Sequence, residues 1–227
     1  MFISISTTFP LAFMVTLTWA LRQGDPGRGA PLPDHLIMVP RWEVPSPDGN
    51  GKTLSLRGTV EEVAAQMRGL GATFDADDDD DEEEDYLGKV ATPAVERRAV
   101  FTNEEATLCH NFGEGNRSAV HVGIKFLRTM GGRPQNGAGP ANCGRVSCRH
   151  DTGIWWCNDA EDSKELASFA DIADGAQRVL DKCLDKQDAK QGEGMTVSGQ
   201  AFHKDGWNVV IRGGDDCENS AVNINSR

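Results

Sequence analysis

The chain has 227 residues, a formal net charge of −12 at pH 7 and six cysteines, the first of which is Cys109. Such acidity argues against nucleic acid or an anionic membrane surface as the partner of the whole chain, because phosphate binding needs a basic footprint. The length allows one domain of ordinary size or a small domain with a long appendage. Residues 1–98 carry a net charge of −8 and residues 99–227 a net charge of −4, so charge and cysteines change at the same place and favour the appendage.

The first 20 residues have the pattern of a secretory signal peptide. A mostly apolar core from Leu11 to Leu17 is followed by Ala20, a small residue suited to signal peptidase. No later segment reaches the length that spans a bilayer, so we expect no stable membrane anchor. Secretion also agrees with the cysteines, because an oxidising compartment lets thiols pair. We therefore expect an extracellular, disulfide-bonded protein.

A more regular pattern follows the Gly- and Pro-rich stretch 21–35, which predicts an extended linker. Residues 36–56 predict two strands joined by a turn, and Thr59 with Glu62 form the capping-box pattern that begins a helix. Residues 36–70 are therefore expected to form a small β-β-α unit. Alone it would be marginal, since it is short and lacks a cysteine.

The next stretch is dominated by charge. Residues 75–85 are almost continuous Asp and Glu, which predicts a disordered, solvated spacer. The dibasic pair Arg97-Arg98 then stands directly before the cysteine-rich block, as at sites cut by subtilisin-like processing proteases. We expect cleavage after Arg98. The expected organisation is a signal peptide (1–20), a propeptide (21–98) and a mature cysteine-rich domain (99–227).

Two helices are predicted in the cysteine-rich block. Residues 118–130 fit either a strand by alternation or a helix by one apolar face, and their length favours the helix. A longer apolar stripe predicts a helix from Ser163 or Ser168 through Cys183. Cys183 lies on its apolar side, as a disulfide to a sheet requires. Asn116 begins a glycosylation sequon, so its turn is expected to be exposed if it is modified.

Strands are predicted at three places. Residues 154–158 alternate so that one tryptophan faces each side, and residues 195–202 and 207–211 form an antiparallel pair. Core packing of both tryptophans is the simpler explanation, and sugar stacking on an exposed ring is the alternative. We expect the tryptophans and Cys157 to fasten the sheet to a helix. The active surface is then expected on loops such as 131–142 and 184–194.

The six cysteines predict a disulfide framework whose connectivity stays open among about 15 pairings. They are Cys109, Cys143, Cys148, Cys157, Cys183 and Cys217. A zinc site using Cys143, Cys148 and His150 is disfavoured, because the C-x4-C spacing is loose and secretion favours disulfides. We expect no metal and no cofactor.

A secreted ribonuclease would need a His or Glu base with an Arg to hold phosphate. His150, His203, Glu165 and Arg212 supply these residue types but no recognisable spacing. The chain also contains no G-x-S-x-G motif and no P-loop. We therefore expect solvated histidines and predict no catalytic residue.

The order of these motifs resembles small secreted fungal proteins related to the killer protein 4 toxins. It comprises Cys-x4-Cys, the Trp155-Trp156-Cys157 strand, the helix before Cys183 and two strands before Cys217. The resemblance covers about residues 105–217 and implies an α/β sandwich, in which antiparallel helices cover one face of a disulfide-stapled antiparallel sheet. Members of the family are toxins that block calcium uptake in competing fungi, or candidate effectors that act on plants. The resemblance assigns no active-site residue to this chain.

The expected fold class is therefore α+β, and the expected protein is a secreted, non-enzymatic toxin or effector released by cleavage after Arg98. It would act as a monomer on membranes, channels or host targets of competing fungi or plants. Its immediate partner would be an unknown protein or cell-surface target. The alternatives are a secreted hydrolase or ribonuclease-like enzyme, and a carbohydrate-binding module.

Overall fold

The computed structural model describes residues 29–72, 101, 106–185 and 195–218. Three helices are formed within these ranges: α1 (Val60–Gly69), α2 (Arg117–Thr129) and α3 (Phe169–Cys183). The strands are β1 (Leu36–Met38), β2 (Arg41–Pro45), β3 (Thr53–Arg57), β4 (Thr107–Cys109), β5 (Gly115–Asn116), β6 (Gln135–Asn136), β7 (Asn142–Arg149), β8 (Thr152–Asn158), β9 (Lys164–Glu165), β10 (Leu184–Asp185), β11 (Thr196–Val197), β12 (Gly199–His203) and β13 (Trp207–Gly213). The expected signal peptide, the acidic run 75–85 and the dibasic pair lie outside the described residues.

The predicted α+β fold class is confirmed. The largest sheet has six strands in the order β1-β7-β8-β13-β12-β4. Adjacent strands in it are antiparallel, except for the parallel pair β1 and β7. Two smaller sheets have the orders β10-β11-β5 and β3-β2-β6-β9. The helices pack over one face of the large sheet, because α2 contacts β7 and β8 while α3 contacts β12 and β13.

The alternation of β8 decides which side chains meet the helices. Ile154 and Trp156 belong to the main hydrophobic core, whereas Trp155 and Cys157 belong to a smaller cluster on the other face. Each tryptophan is at most 3% exposed. Both rings are therefore buried by packing, as the alternating pattern predicted. Only Trp156 faces the helices, so the expectation that Trp155 fastens the sheet to a helix is wrong.

The helix predictions hold with sharper boundaries. Residues 117–129 are helical, and α3 begins after Ser168, whose hydroxyl accepts a hydrogen bond from the Ala170 N–H at 3.0 Å. The start at Ser163 is wrong, because Lys164 and Glu165 form β9 and pair with β6. The predicted strand 195–202 is divided at Ser198 into β11 and β12, which join different sheets.

Three disulfides account for all six cysteines: Cys109–Cys183, Cys143–Cys157 and Cys148–Cys217. Cys183 links α3 to edge strand β4, as its position on the apolar side of the helix requires. The expectation that Cys157 fastens sheet to helix is wrong. Cys157 lies opposite Cys143 in the β7–β8 pair, with their Cα atoms 4.0 Å apart, so this disulfide joins neighbouring strands.

Candidate functional site

Residues 29–72, named here the N-terminal segment, add strands to the sheets of the cysteine-rich module, the described residues 106–185 and 195–218. Strand β1 extends the large sheet beside β7, and the Leu36 N–H donates to the Ala141 carbonyl at 2.7 Å. Strand β2 pairs with β6 through Arg41 and Gln135. The first strand predicted in residues 36–56 is divided into β1 and β2, which join different sheets. The elements of residues 36–70 thus share sheets with the module instead of forming a separate β-β-α unit.

The contact between the N-terminal segment and the module is named here the seam. Trp42 is the largest buried side chain that the segment contributes to it. It is fully buried and stacks on Phe169, with ring centroids 3.5 Å apart and an interplanar angle of 7°. Its indole N–H donates to the Gly58 carbonyl at 2.9 Å, so burial leaves its polar atom satisfied. Because Phe169 is the first residue of α3, the N-terminal segment packs directly against the longest helix of the module.

Helix α1 contributes the rest of the apolar contact. Its buried residues recur at helical spacing, and they belong to the same core cluster as α2 and α3. They are Val60, Val63, Ala64 and Met67. The helix contacts α2 and β7, so the apolar face that would be exposed in an isolated β-β-α unit is covered by the module.

Glu61, in the first turn of α1, places a carboxylate against β7. The Ser147 hydroxyl donates to one carboxylate oxygen at 2.5 Å, and the Cys148 N–H donates to the other at 3.2 Å. Burial raises the pKa of the Glu61 carboxyl above its ordinary value, although these two hydrogen bonds act in the opposite direction. A titratable group therefore lies in the seam beside the Cys148–Cys217 disulfide.

A polar cavity of about 490 Å³, named here the seam cavity, opens where β2, β6 and β9 meet. The residues that line it include Arg41 from the N-terminal segment and Gln135, Asn136, Ser163, Lys164 and Glu165 from the module. The Glu165 carboxylate accepts hydrogen bonds from Gln135 at 2.9 Å and from Arg133 at 3.3 Å. Lys164 donates to the Asp205 carbonyl at 2.6 Å. The cavity is therefore a hydrophilic surface to which both sides of the seam contribute.

The other face of the large sheet also contacts the N-terminal segment. The Trp155 indole N–H donates to the Asp215 carboxylate at 2.6 Å, and the guanidinium groups of Arg145 and Arg212 lie 5.6 Å and 5.1 Å from its ring centroid. Arg212 further donates to the carbonyl of Gly29 at 2.8 Å. The segment is thus hydrogen-bonded to the module on the face opposite its helix.

The residues considered for a ribonuclease site are not brought together. His150 lies in the turn between β7 and β8, whereas His203 ends β12 beside Trp207, which pairs with the far end of β8. The length of β8 separates these ends by about 20 Å. Glu165 bonds to Gln135 and Arg133, and Arg212 pairs with Asp215. Each of the four therefore has its own surroundings.

His203 is less solvated than the sequence predicts. Its side chain is 7% exposed and stacks on Trp207, with ring centroids 4.6 Å apart. Phe101 meets both rings edge-on, at 5.2 Å and 5.3 Å. The expectation of a solvated histidine is therefore wrong here, because the ring packs in an aromatic cluster. At His150, which is exposed, the expectation holds.

Cys143 and Cys148 do not serve as zinc ligands, because both form disulfides. Among the described residues no group of three or more His, Cys, Asp or Glu side chains could hold a metal ion. Sugar stacking needs an exposed aromatic ring, and the four tryptophans in the described ranges do not provide one, because each is at most 3% exposed. Sequence pattern alone did not distinguish a buried ring from an exposed one.

The sequon residue Asn116 is exposed and caps α2. Its side-chain oxygen accepts a hydrogen bond from the Ala119 N–H at 3.0 Å. Of the loops named as the expected active surface, 131–142 borders the seam cavity through Gln135 and Asn136. Residues 186–194 of the other loop lie outside the described residues.

Sequence reasoning missed Trp42, Glu61 and Arg41, because the charge and cysteine boundary placed them in a propeptide. A usable signal was present. A β-β-α unit with an apolar helix face and a tryptophan cannot bury them alone, and so requires a partner surface. The module supplies that surface.

Comparison of the chain with protein-family models, curated proteins and solved structures finds no match. The resemblance to the killer protein 4 toxins therefore stays a prediction. No helix in the described part of the chain has both the length and the apolar character needed to cross a membrane.

Proposed function

We propose that the protein is a secreted, non-enzymatic toxin or effector, matured by cleavage after Arg98, that acts on membranes, channels or host targets of competing fungi or plants. The observation that carries the proposal is the α+β module stapled by three disulfides. Disulfide networks of this density are typical of small proteins that work outside the cell. Thiols pair there, and the disulfides stabilise domains whose hydrophobic cores are small.

Two further observations support binding as the mode of action. The tryptophans and disulfides of the module serve its packing, and the histidines considered for catalysis lie at opposite ends of β8. The polar surface of the seam cavity provides groups for recognition of a partner, including Arg41 and Lys164. The exposed Asn116 sequon agrees with passage through a secretory pathway.

The test compares the secreted wild-type protein with the doubly substituted Arg97→Ala/Arg98→Ala protein. Intact mass establishes whether cleavage occurs after Arg98. Growth inhibition and calcium uptake are then measured on fungal and plant cells over matched concentrations. We expect the cleaved protein to act at lower concentration than the uncut one, and a His150→Ala/His203→Ala protein to retain the activity.

Inactivity of both the cleaved and the uncut protein on all cell types would overturn the proposal. Loss of activity in the histidine variant, with unchanged folding by circular dichroism, would favour the enzyme alternative. Wild-type protein that has been reduced and alkylated is the control for activity that depends on the disulfide-bonded fold.

A further inference from the structure

We infer that, after the cleavage proposed above, residues 29–72 stay bound to the cysteine-rich module, so that the processed protein is a two-chain complex. This inference rests on the proposed function for the cut itself. The binding rests on contacts among described residues. It replaces the expectation of a discarded propeptide with that of a retained subunit.

The apolar contacts are those of a protein core. Trp42, Val44 and the four buried residues of α1 are between 0% and 6% exposed, and all belong to the cluster that contains α2 and α3. Departure of the segment would expose these side chains together with the ring of Phe169, on which Trp42 stacks. Exposure of so many large apolar groups opposes dissociation.

Hydrogen bonds hold the segment at several separate places. Strand β1 pairs with β7 over three residues, beginning at Leu36, and the Glu61 carboxylate accepts from Ser147 and Cys148. At the beginning of the segment, Arg212 of β13 donates to the Gly29 carbonyl. Dissociation would break all of these hydrogen bonds, and any of their groups that stayed buried without a partner would cost free energy.

The position of the cut leaves these contacts intact. Ala72, at the end of the segment, packs against the main core, and so does Phe101, three residues after Arg98. Phe101 reaches the core through His203 and Trp207, which belong to the module. Cleavage between these two points therefore divides the chain between two packed residues and removes neither.

The link between the two chains is necessarily non-covalent. No cysteine precedes Cys109, and the three disulfides all join residues within the module. The complex would also retain Arg41 in the lining of the seam cavity, whereas the module alone would lack this cationic side chain. The surface that the protein presents to a partner therefore depends on retention of the segment.

The experiment cuts the chain at a chosen place. Residues 91–98 of the otherwise full-length secreted protein are replaced by the recognition sequence of a site-specific viral protease, and the purified protein is cut. A denaturing gel without reductant is expected to show two fragments. Gel filtration in native buffer at roughly micromolar concentration is expected to show both fragments in one peak. Elution of the module without the segment would overturn the inference.

Matched variants test whether the described contacts hold the segment. Trp42→Ala should raise the dissociation constant of the fragments by roughly 100-fold or more, because a large buried ring is lost. Leu36→Ala, at a β1 position that is 64% exposed, is the control and should change it by less than about threefold. Should Trp42→Ala fail to accumulate, Val63→Ala is expected to weaken binding by about tenfold or more.

Equal retention of the segment in Trp42→Ala, Val63→Ala and Leu36→Ala would overturn the assignment of the binding to this interface. The inserted site tests the binding of the segment to the module without natural processing. Absence of a natural cut after Arg98 would count against the proposed function, and would leave the engineered cut as the test of the binding. Separation of the fragments after the engineered cut would count against the inference alone.

Discussion

The N-terminal segment and the cysteine-rich module belong to one hydrophobic core but are held in different ways. The module has three disulfides, two of which join residues 74 and 69 positions apart. The segment has none, and it is held by Trp42, helix α1 and strand pairing. Composition and packing therefore place the boundary differently: charge and cysteines change near residue 99, whereas the core continues across that position.

This difference predicts which perturbation should destabilise each region. A disulfide stabilises chiefly by restricting the unfolded chain, so its effect grows with the length of the loop that it closes. Core packing stabilises through the apolar surface removed from water. Reducing conditions should therefore act on the module, and truncation of buried side chains should act on the association of the segment.

The largest loss of stability is expected when the longest disulfide loop is opened. Cys109→Ala with Cys183→Ala should lower the free energy of unfolding by about 4 kcal/mol, since 74 residues separate the pair. The matched control is Cys143→Ala with Cys157→Ala, whose separation is 14 residues and whose expected loss is about 3 kcal/mol. Urea unfolding of the full-length protein measures both. A larger loss for the shorter loop would contradict the loop-length argument.

The next effect tests the packing of the uncut segment. Trp42→Ala should lower the free energy of unfolding by about 3 to 4 kcal/mol, because it leaves a cavity above Phe169. Leu36→Ala is the surface control, with an expected change within about 0.5 kcal/mol. If Trp42→Ala unfolds at the same urea concentration as the wild type, the segment is not part of the cooperative core.

A smaller effect separates the two roles of Asn116. Asn116→Ala removes the cap of α2 and the sequon together, and should lower the free energy of unfolding by about 1 kcal/mol. Ser118→Ala removes only the sequon. Intact mass should show loss of any glycan in both variants, while thermal unfolding of the enzymatically deglycosylated proteins should change only in Asn116→Ala. An equal loss in both would mean that the cap contributes nothing.

The smallest effect is a change in pH dependence at the seam. Burial raises the pKa of Glu61 in the folded protein above its ordinary value of about 4.5. The stabilisation from its protonation is therefore fully present below the ordinary value and is lost as pH rises through the raised value. Relative to Glu61→Gln, the wild type should lose stability from about pH 4.5 toward neutral pH.

Urea unfolding of both proteins over this pH range measures the difference. Glu43→Gln, which removes a carboxylate on strand β2 of the same segment, is the charge-matched control. If the free energies of unfolding of wild type and Glu61→Gln differ by the same amount at all pH values, protonation of Glu61 does not contribute to the stability of the protein.

Much of the fold was predictable because its elements are encoded by local pattern. The apolar stripe before Cys183 predicts α3, and the alternation around Trp155 and Trp156 predicts β8 with one ring on each face. Turn residues near Asp205 predict the hairpin between β12 and β13. These signals are read within one or two turns of chain, where side-chain spacing determines which face becomes apolar.

The candidate site was not predictable in the same way. Composition separated Arg41 and Glu61 from the module because an acidic run and a dibasic pair stand between them. The structure brings Arg41 and Lys164 into the lining of one cavity and places Glu61 against Ser147. Such contacts join residues more than 80 positions apart, and no local spacing encodes them.

The sequence by itself determined the α+β class, the three helices, strands β8, β12 and β13, and the use of the cysteines in disulfides, since these follow from periodicity and from pairing chemistry. It did not predict β7, the longest strand. Only the tertiary structure decided which cysteines pair. Cys157 meets Cys143 because β7 and β8 are in register. It likewise decided that Trp42 lies on Phe169, because an apolar surface is buried by whichever part of the chain fits it, however distant in sequence.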